Sequence, residues 1–206
     1  MKKLIVLMVI AVFPVKTSLT AEFPSHLFEK PCQEEKIVFE KPWQQFVYDY
    51  LPYAKMVEQE YGIDATFILA QAAHESGWGR FMRGNMIFGM KDFDGINGNE
   101  QLLTTHEYFS TPHKKMPHII RVTKVKDGLY RYKVKEYFKK YASPLDSFKD
   151  HSIYLKKRLG DDYSLPAIEL TKKMKKINYA TDTQYAAKMQ SIVKKIDGFL
   201  QAQAII

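Results

Sequence analysis

The 206-residue sequence predicts an α+β fold, a mainly α-helical domain carrying a small antiparallel β-lobe. Three features predict it. From Trp43 to Tyr61 apolar and aromatic residues recur at helical spacing. Between about residues 101 and 140 the pattern turns to short runs rich in β-branched and aromatic residues. After Ser143 the helix-start signals return. A sheet bracketed in sequence by helices on both sides is expected to be a lobe set beside the helical body.

Taken in order, residues 1–21 have the three parts of an export signal: Lys2 and Lys3, an apolar core from Leu4 to Phe13, and a polar stretch ending at Thr20-Ala21. That core falls short of the roughly 20 apolar residues a membrane span needs, and no later segment supplies a stable membrane anchor. The mature chain is therefore expected to be exported, to the periplasm or to the extracellular face and cell wall. Residues 22–42 mix Pro24, Pro31 and Pro42 with charge and read as an extended lead-in. The domain is expected over residues 43–206, enough chain for one core and hardly for two. Cys32 stands alone, which excludes a disulfide within the chain.

Within the domain, Phe46, Val47, Tyr50, Leu51, Ala54, Val57 and Tyr61 trace one helical stripe, with Pro52 expected as a break or as the first turn of a second helix. Gly62 is the expected stop and Asp64 the cap of the next helix. Strands are expected at Leu102–Phe109, Ile119–Val125 and Leu129–Phe138, with Asp127-Gly128 turning the last hairpin. Ser143-Pro144-Leu145-Asp146 opens a helix to about Arg158. Another should run from Pro166 to Lys176, and Thr181-Asp182-Thr183-Gln184 forms a capping box for a last helix to about Leu200.

The net charge of +8 points to polyanions. Export directs that expectation to anionic envelope polymers or lipid surfaces and away from nucleic acid. Asp92, Asp94, Asn97 and Asn99 resemble a calcium loop, but Ile96 occupies a ligand position and no Glu closes the loop at the twelfth place. His74-Glu75 lacks the second histidine of a zinc-protease motif. Neither a metal nor another cofactor is expected.

The chemistry centres on Glu75. It ends an almost wholly apolar run, Ala65 to Ala73, so that a buried helix carries an acid out of the core. Gln71 lies one turn below it on the same face, and Trp78 follows where Ser76-Gly77 and Gly79 break the helix. A carboxyl between apolar walls and an indole is poorly hydrated and holds its proton, as a general acid must. His74, about 100° round the helix, is expected to be packed or hydrogen-bonded and not to be a proton partner. Glu107, on a strand among lysines, is a second candidate, because nearby positive charge favours a carboxylate. Tyr179, an aromatic in a short loop, and the rings of Trp78, Phe88 and Tyr108 are further candidates, and for Phe88 a core position is the stronger expectation.

Six short strings then carry a resemblance. They are Leu51-Pro52-Tyr53-Ala54 with Tyr61-Gly62-Ile63; Ala70-Gln71-Ala72-Ala73-His74-Glu75-Ser76-Gly77-Trp78-Gly79; Asn85-Met86-Ile87-Phe88-Gly89-Met90-Lys91; Thr105-His106-Glu107-Tyr108; Phe138-Lys139-Lys140-Tyr141-Ala142-Ser143; and Tyr179-Ala180-Thr181-Asp182 with Tyr185-Ala186. In this order the chain resembles the bacterial cell-wall N-acetylglucosaminidases of glycoside hydrolase family 73. The resemblance implies a lysozyme-like fold and cleavage of β-1,4 bonds of peptidoglycan glycan strands after N-acetylglucosamine. It implies Glu75 as general acid, Glu107 as second acidic residue and Tyr179 as site tyrosine. Glycoside cleavage needs an acid and a second group that activates water or supports the positive sugar ring, a role that suits Glu107. A third route needs no second carboxylate, the acetamido oxygen of the substrate attacking with Tyr179 orienting it. Toward the substrate Gln71, Trp78, Asn85, Phe88 and Tyr108 are expected, the flat rings of Trp78, Phe88 and Tyr108 against the faces of sugar rings. The chain departs from the family pattern at His74, at Gly84-Asn85, at Lys139 and in a longer, more basic strand region. Two alternatives stand beside this reading: a lytic transglycosylase, which closes the sugar into an anhydro product, and a non-catalytic basic wall-binding module.

Overall fold

A computed structural model describes residues 39–177, 179 and 184–203. The expected export signal, most of the extended lead-in, Cys32 and all but Gln184 of the last capping box lie outside the described residues.

The first helix, α1 (Pro42–Tyr61), starts with proline at its first position, where an amide hydrogen would find no partner. Gln44 turns its side-chain oxygen back to the Lys41 amide at 3.0 Å. Where the sequence suggests an interruption at Pro52, the helix runs straight through. Pro52 is exposed, while Phe46, Val47, Leu51, Ala54 and Val57 are buried in one continuous stripe across it. Burial of that stripe outweighs the single backbone hydrogen bond a proline forfeits. Gly62 ends the helix in the left-handed region at φ 76°, its amide bonded to the Glu58 carbonyl at 2.8 Å.

The second helix, α2 (Ala65–Ser76), is the axis of the body. Asp64 caps it by accepting from the Phe67 amide at 3.0 Å, and its other oxygen accepts from the Ala167 amide at 3.0 Å, across 103 positions of chain. Phe67, Ile68, Leu69, Ala70, Ala72 and Ala73 are wholly buried. A helix apolar on every side must be enclosed on every side. It packs against α1, α4 (Ala167–Lys176) and α5 (Tyr185–Ala202), while α3 (Pro144–Leu159) packs on α1. Ser143 and Asp146 exchange the expected capping bonds at the start of α3.

The lobe is a sheet of β1 (Glu100–Phe109), β2 (Ile119–Lys124) and β3 (Tyr130–Lys139), ordered β1-β3-β2 with both pairings antiparallel. The hairpin between β2 and β3 closes through a short 3₁₀ turn at Lys126–Gly128, with Gly128 at φ 71°. Only Tyr132, Val134 and Phe138 of β3 are buried, and β2 is exposed along most of its length. The sheet joins the body at one corner. There the Asp92 amide bonds to the Tyr137 carbonyl and the Lys139 amide to the Met90 carbonyl, both at 2.9 Å, and Lys139 Nζ pairs with Asp150 of α3 at 2.9 Å.

Candidate active site

The last turn of α2 delivers Glu75. Behind it the backbone makes a left-handed exit through Gly77, Trp78 and Gly79, at φ 58°, 61° and 82°. At Gly77 a side chain is disfavoured twice over: by the left-handed conformation, and because a Cβ would stand 2.6 Å from the Phe81 ring, which would have to move aside. Trp78 takes the same conformation at a cost of roughly 1–2 kcal/mol. Its ring meets Trp43 and Phe46 edge-on at 5.8 and 5.9 Å, with Lys195 over its face at 4.9 Å. The strained exit holds the acid where the helix ends.

Glu75 opens into a cleft of about 920 Å³. The cleft is lined by His74, Glu75, Phe88, Tyr154, Tyr179 and Tyr185 together with residues 89–94 and Lys139. The Glu75 side chain is exposed to this space, yet loss of hydration pushes its pKa from 4.5 up to about 7. The two facts are compatible in a concave site: a substrate can touch the carboxyl while the surrounding protein displaces much of the water a free carboxylate would hold. Tyr179 is anchored through its amide to the Met174 carbonyl at 3.1 Å, and its ring lies among those of His151, Tyr154 and Tyr185. Burial first, and then the charge of Glu75, hold its hydroxyl proton more tightly than in free tyrosine.

Glu107 occupies a different setting. Lys91 Nζ lies 2.9 Å from Glu107 and 2.6 Å from Glu136, bridging β1 and β3. Lys91 reaches the cleft wall, whereas Glu107 is not among the residues lining it. Burial pulls the pKa of Lys91 down and its two carboxylate partners push it up by more, so the ammonium is held charged.

The remaining expected substrate residues separate into distinct environments. Phe88 lies on the cleft with 4% of its surface exposed, stacked on His151 at 4.0 Å. Gln71 is wholly enclosed, donating to the Tyr185 hydroxyl at 3.1 Å and lying 3.0 Å from His151 Nε2. Asn85 fastens its loop by donating to the Tyr141 and Ala142 carbonyls at 3.2 and 2.8 Å. Trp78 belongs to the aromatic cluster behind the acid. Tyr108 is exposed and, by strand alternation, lies on the opposite face of β1 from Glu107. His74 meets the edge of Tyr185 at 5.3 Å and shares the cleft wall. The loop acids whose spacing resembles a calcium site bond within their own turn: Asp92 accepts from the Asp94 amide and Asp94 from the Asn97 side chain, each at 3.0 Å.

Sequence reasoning did not single out Tyr154, Tyr185 or Lys91 as site residues. Tyr154 and Tyr185 sit on helices remote in the chain from Glu75, and no local spacing brings them to it. Lys91 had a usable signal, a lysine directly after a glycine-bracketed apolar turn and ahead of the strand that carries Glu107.

Comparison with known proteins agrees with this architecture. The model of a family described as glucosaminidase, mannosyl-glycoprotein endo-beta-N-acetylglucosaminidase, matches residues 51–198. The chain is 25% identical over 169 residues to the peptidoglycan hydrolase FlgJ of Pseudomonas aeruginosa, covering 75% of this chain and 37% of that protein. It is 29% identical over 162 residues to FlgJ of Vibrio cholerae, covering 74% and 43%. The chain thus spans less than half the length of these relatives. Among solved structures, the glycoside hydrolase domain of FlgJ from Salmonella typhimurium superposes with a TM-score of 0.60 at 23% identity, over 79% of this chain and 92% of that one. A peptidoglycan hydrolase mutant from Sphingomonas sp. A1 gives 0.60 at 23%, over 77% and 99%. At these identities the structural likeness speaks for the shared fold, a lysozyme-like helical body with a β-lobe. With its family model matched from the middle of α1 into α5, the chain belongs to the glucosaminidase family of glycoside hydrolases.

Proposed function

We propose that this protein is exported and cleaves β-1,4 glycosidic bonds of peptidoglycan after N-acetylglucosamine, with Glu75 as the general acid. The observation that carries the reading is a carboxyl with a pKa of about 7 exposed at the wall of a cleft large enough for sugar rings. Near neutral pH such a group still holds a proton, and a bridging glycosidic oxygen is the base that takes it as the bond to the sugar carbon breaks. Tyr179 lines the same wall and supports the substrate-assisted route. In that route the acetamido oxygen of N-acetylglucosamine attacks the sugar carbon, and the Tyr179 hydroxyl orients the group. Glu107, ion-paired through Lys91 on the lobe, adds negative charge near the cleft without sitting on its wall. No described helix is long and apolar enough to cross a membrane. The charge of +8 supports adhesion to anionic envelope polymers.

Mass spectrometry of digested peptidoglycan tests the reaction: reducing N-acetylglucosamine ends are expected, and anhydro-muramoyl ends would overturn the assignment. Glu75→Gln should abolish lysis while the protein still sediments with the wall. Unchanged lysis by that variant would reject Glu75 as the acid.

A further inference from the structure

Beneath the cleft runs a polar relay that this mechanism leaves unused. His151 of α3, Gln71 of α2 and Tyr185 of α5 form a line of hydrogen bonds through the apolar core. His151 and Gln71 have no exposed surface, and Tyr185 keeps 4% of its own, on the wall of the cleft that holds Glu75. Three helices each commit a buried polar side chain to this line, and a buried polar group without a partner is costly.

The direction of the line follows from its ends. His151 Nδ1 is buried without a hydrogen-bond partner. An orphaned acceptor is tolerated in a protein interior better than an orphaned N–H, so the ring carries its single proton on Nε2. Burial pulls the pKa of His151 down to about 3, which keeps the ring neutral, and Phe88 stacked on its face fixes the plane. Nε2–H then donates to Gln71 Oε1 at 3.0 Å. That choice orients the amide, whose Nε2–H donates to the Tyr185 oxygen at 3.1 Å. With its oxygen occupied as an acceptor, the Tyr185 hydroxyl must send its own proton elsewhere, and the cleft is the open side.

We propose that Tyr185 is a hydrogen-bond donor to a glycan oxygen beside Glu75, and that His151 and Gln71 are positioning residues that keep its proton turned outward. This rests on the reading of Glu75 as the acid of a glycan-cleaving site. Gln71, one turn below Glu75 on α2, thereby ties the same helix to both the acid and the second donor.

The test is a set of variants assayed by kcat/KM on purified peptidoglycan, with Tm recorded for each. Tyr185→Phe removes the donor and is expected to cost about tenfold, the size of one hydrogen bond. Gln71→Glu keeps the shape but accepts at both ends and draws the Tyr185 proton inward, so a similar loss is expected. Should the buried charge of that variant prevent folding, His151→Phe keeps an aromatic ring against Phe88 and frees the Gln71 amide to flip. A smaller loss is expected there. The decisive readout is coupling: in the Tyr185→Phe background, Gln71→Glu or His151→Phe should cost nothing further. Full activity of Tyr185→Phe, or losses that multiply in the double variants, would overturn the relay. Wild-type levels of lysis by Glu75→Gln would remove the acid assignment first and the relay with it, so the two failures are told apart.

Discussion

The helical body and the β-lobe meet at one cleft but are built to different standards. In the body α2 is walled by three other helices, and the acid leaves it through a backbone exit strained enough to admit glycine twice and a pinned tryptophan once. In the lobe, three residues of β3 supply the buried apolar surface, and one lysine bridges two carboxylates across strands. The difference teaches where precision is needed. A proton donor must be held within a fraction of an ångström of its geometry, which demands a packed core. A sheet that lines a groove and carries charge can work with less.

Breaking that contrast should give the largest effects in the body. Glu75→Gln is expected to lower kcat by about 10²–10⁴-fold. Because the acid is needed in its protonated form, wild-type activity should fall as pH rises through about 7, a limb that a pH–rate profile will show. The sign for stability is the same. A carboxyl whose folded pKa lies above its unfolded value contributes stability that is complete below pH 4.5 and lost as pH rises to about 7. Glu75→Gln should therefore melt higher than wild type at pH 8 and alike at pH 4. Next in size, Phe67→Ala in α2 should cost about 3–5 kcal/mol of unfolding free energy in denaturant titration.

Lobe variants sharpen the comparison. Lys91→Met leaves Glu107 and Glu136 without their bridge and should lower stability by about 1–3 kcal/mol. Hydrogen exchange is expected to localise that change to β1 and β3 while amides of α2 keep their protection. Smallest of all, charge removal on the exposed strand, Arg121→Gln with Lys124→Gln, should weaken wall sedimentation only a fewfold. The difference should vanish near 1 M salt, where the screening length is ~3 Å.

Much of this was legible in the chain. Apolar periodicity, the Ser143–Asp146 box and the Asp64 cap located helices, because those signals are local and the interactions they report are local. Alternation located the strands for the same reason. Pro52 misled because propensity at one exposed position is weaker than the stripe it interrupts. At the site, the acid could be read from the apolar run that ends on it. Spacing put Gln71 on the face of Glu75 but could not say that α3 and α5 would roof it over. Nor could it bring Tyr154 and Tyr185 to the same wall, since that depends on how distant helices dock. The order of the sheet, with the last strand central, depends in the same way on pairing across the chain.

Asp64 has a mechanical consequence. A single carboxylate starts both α2 and α4, and the far ends of those two helices lead to Glu75 and, through the Met174 carbonyl, to Tyr179. Donor and tyrosine thus stand like the tips of a caliper whose half-buried pivot lies at the opposite end. A long polymer dragged through the groove would pull on both arms together, leaving the gap between them unchanged.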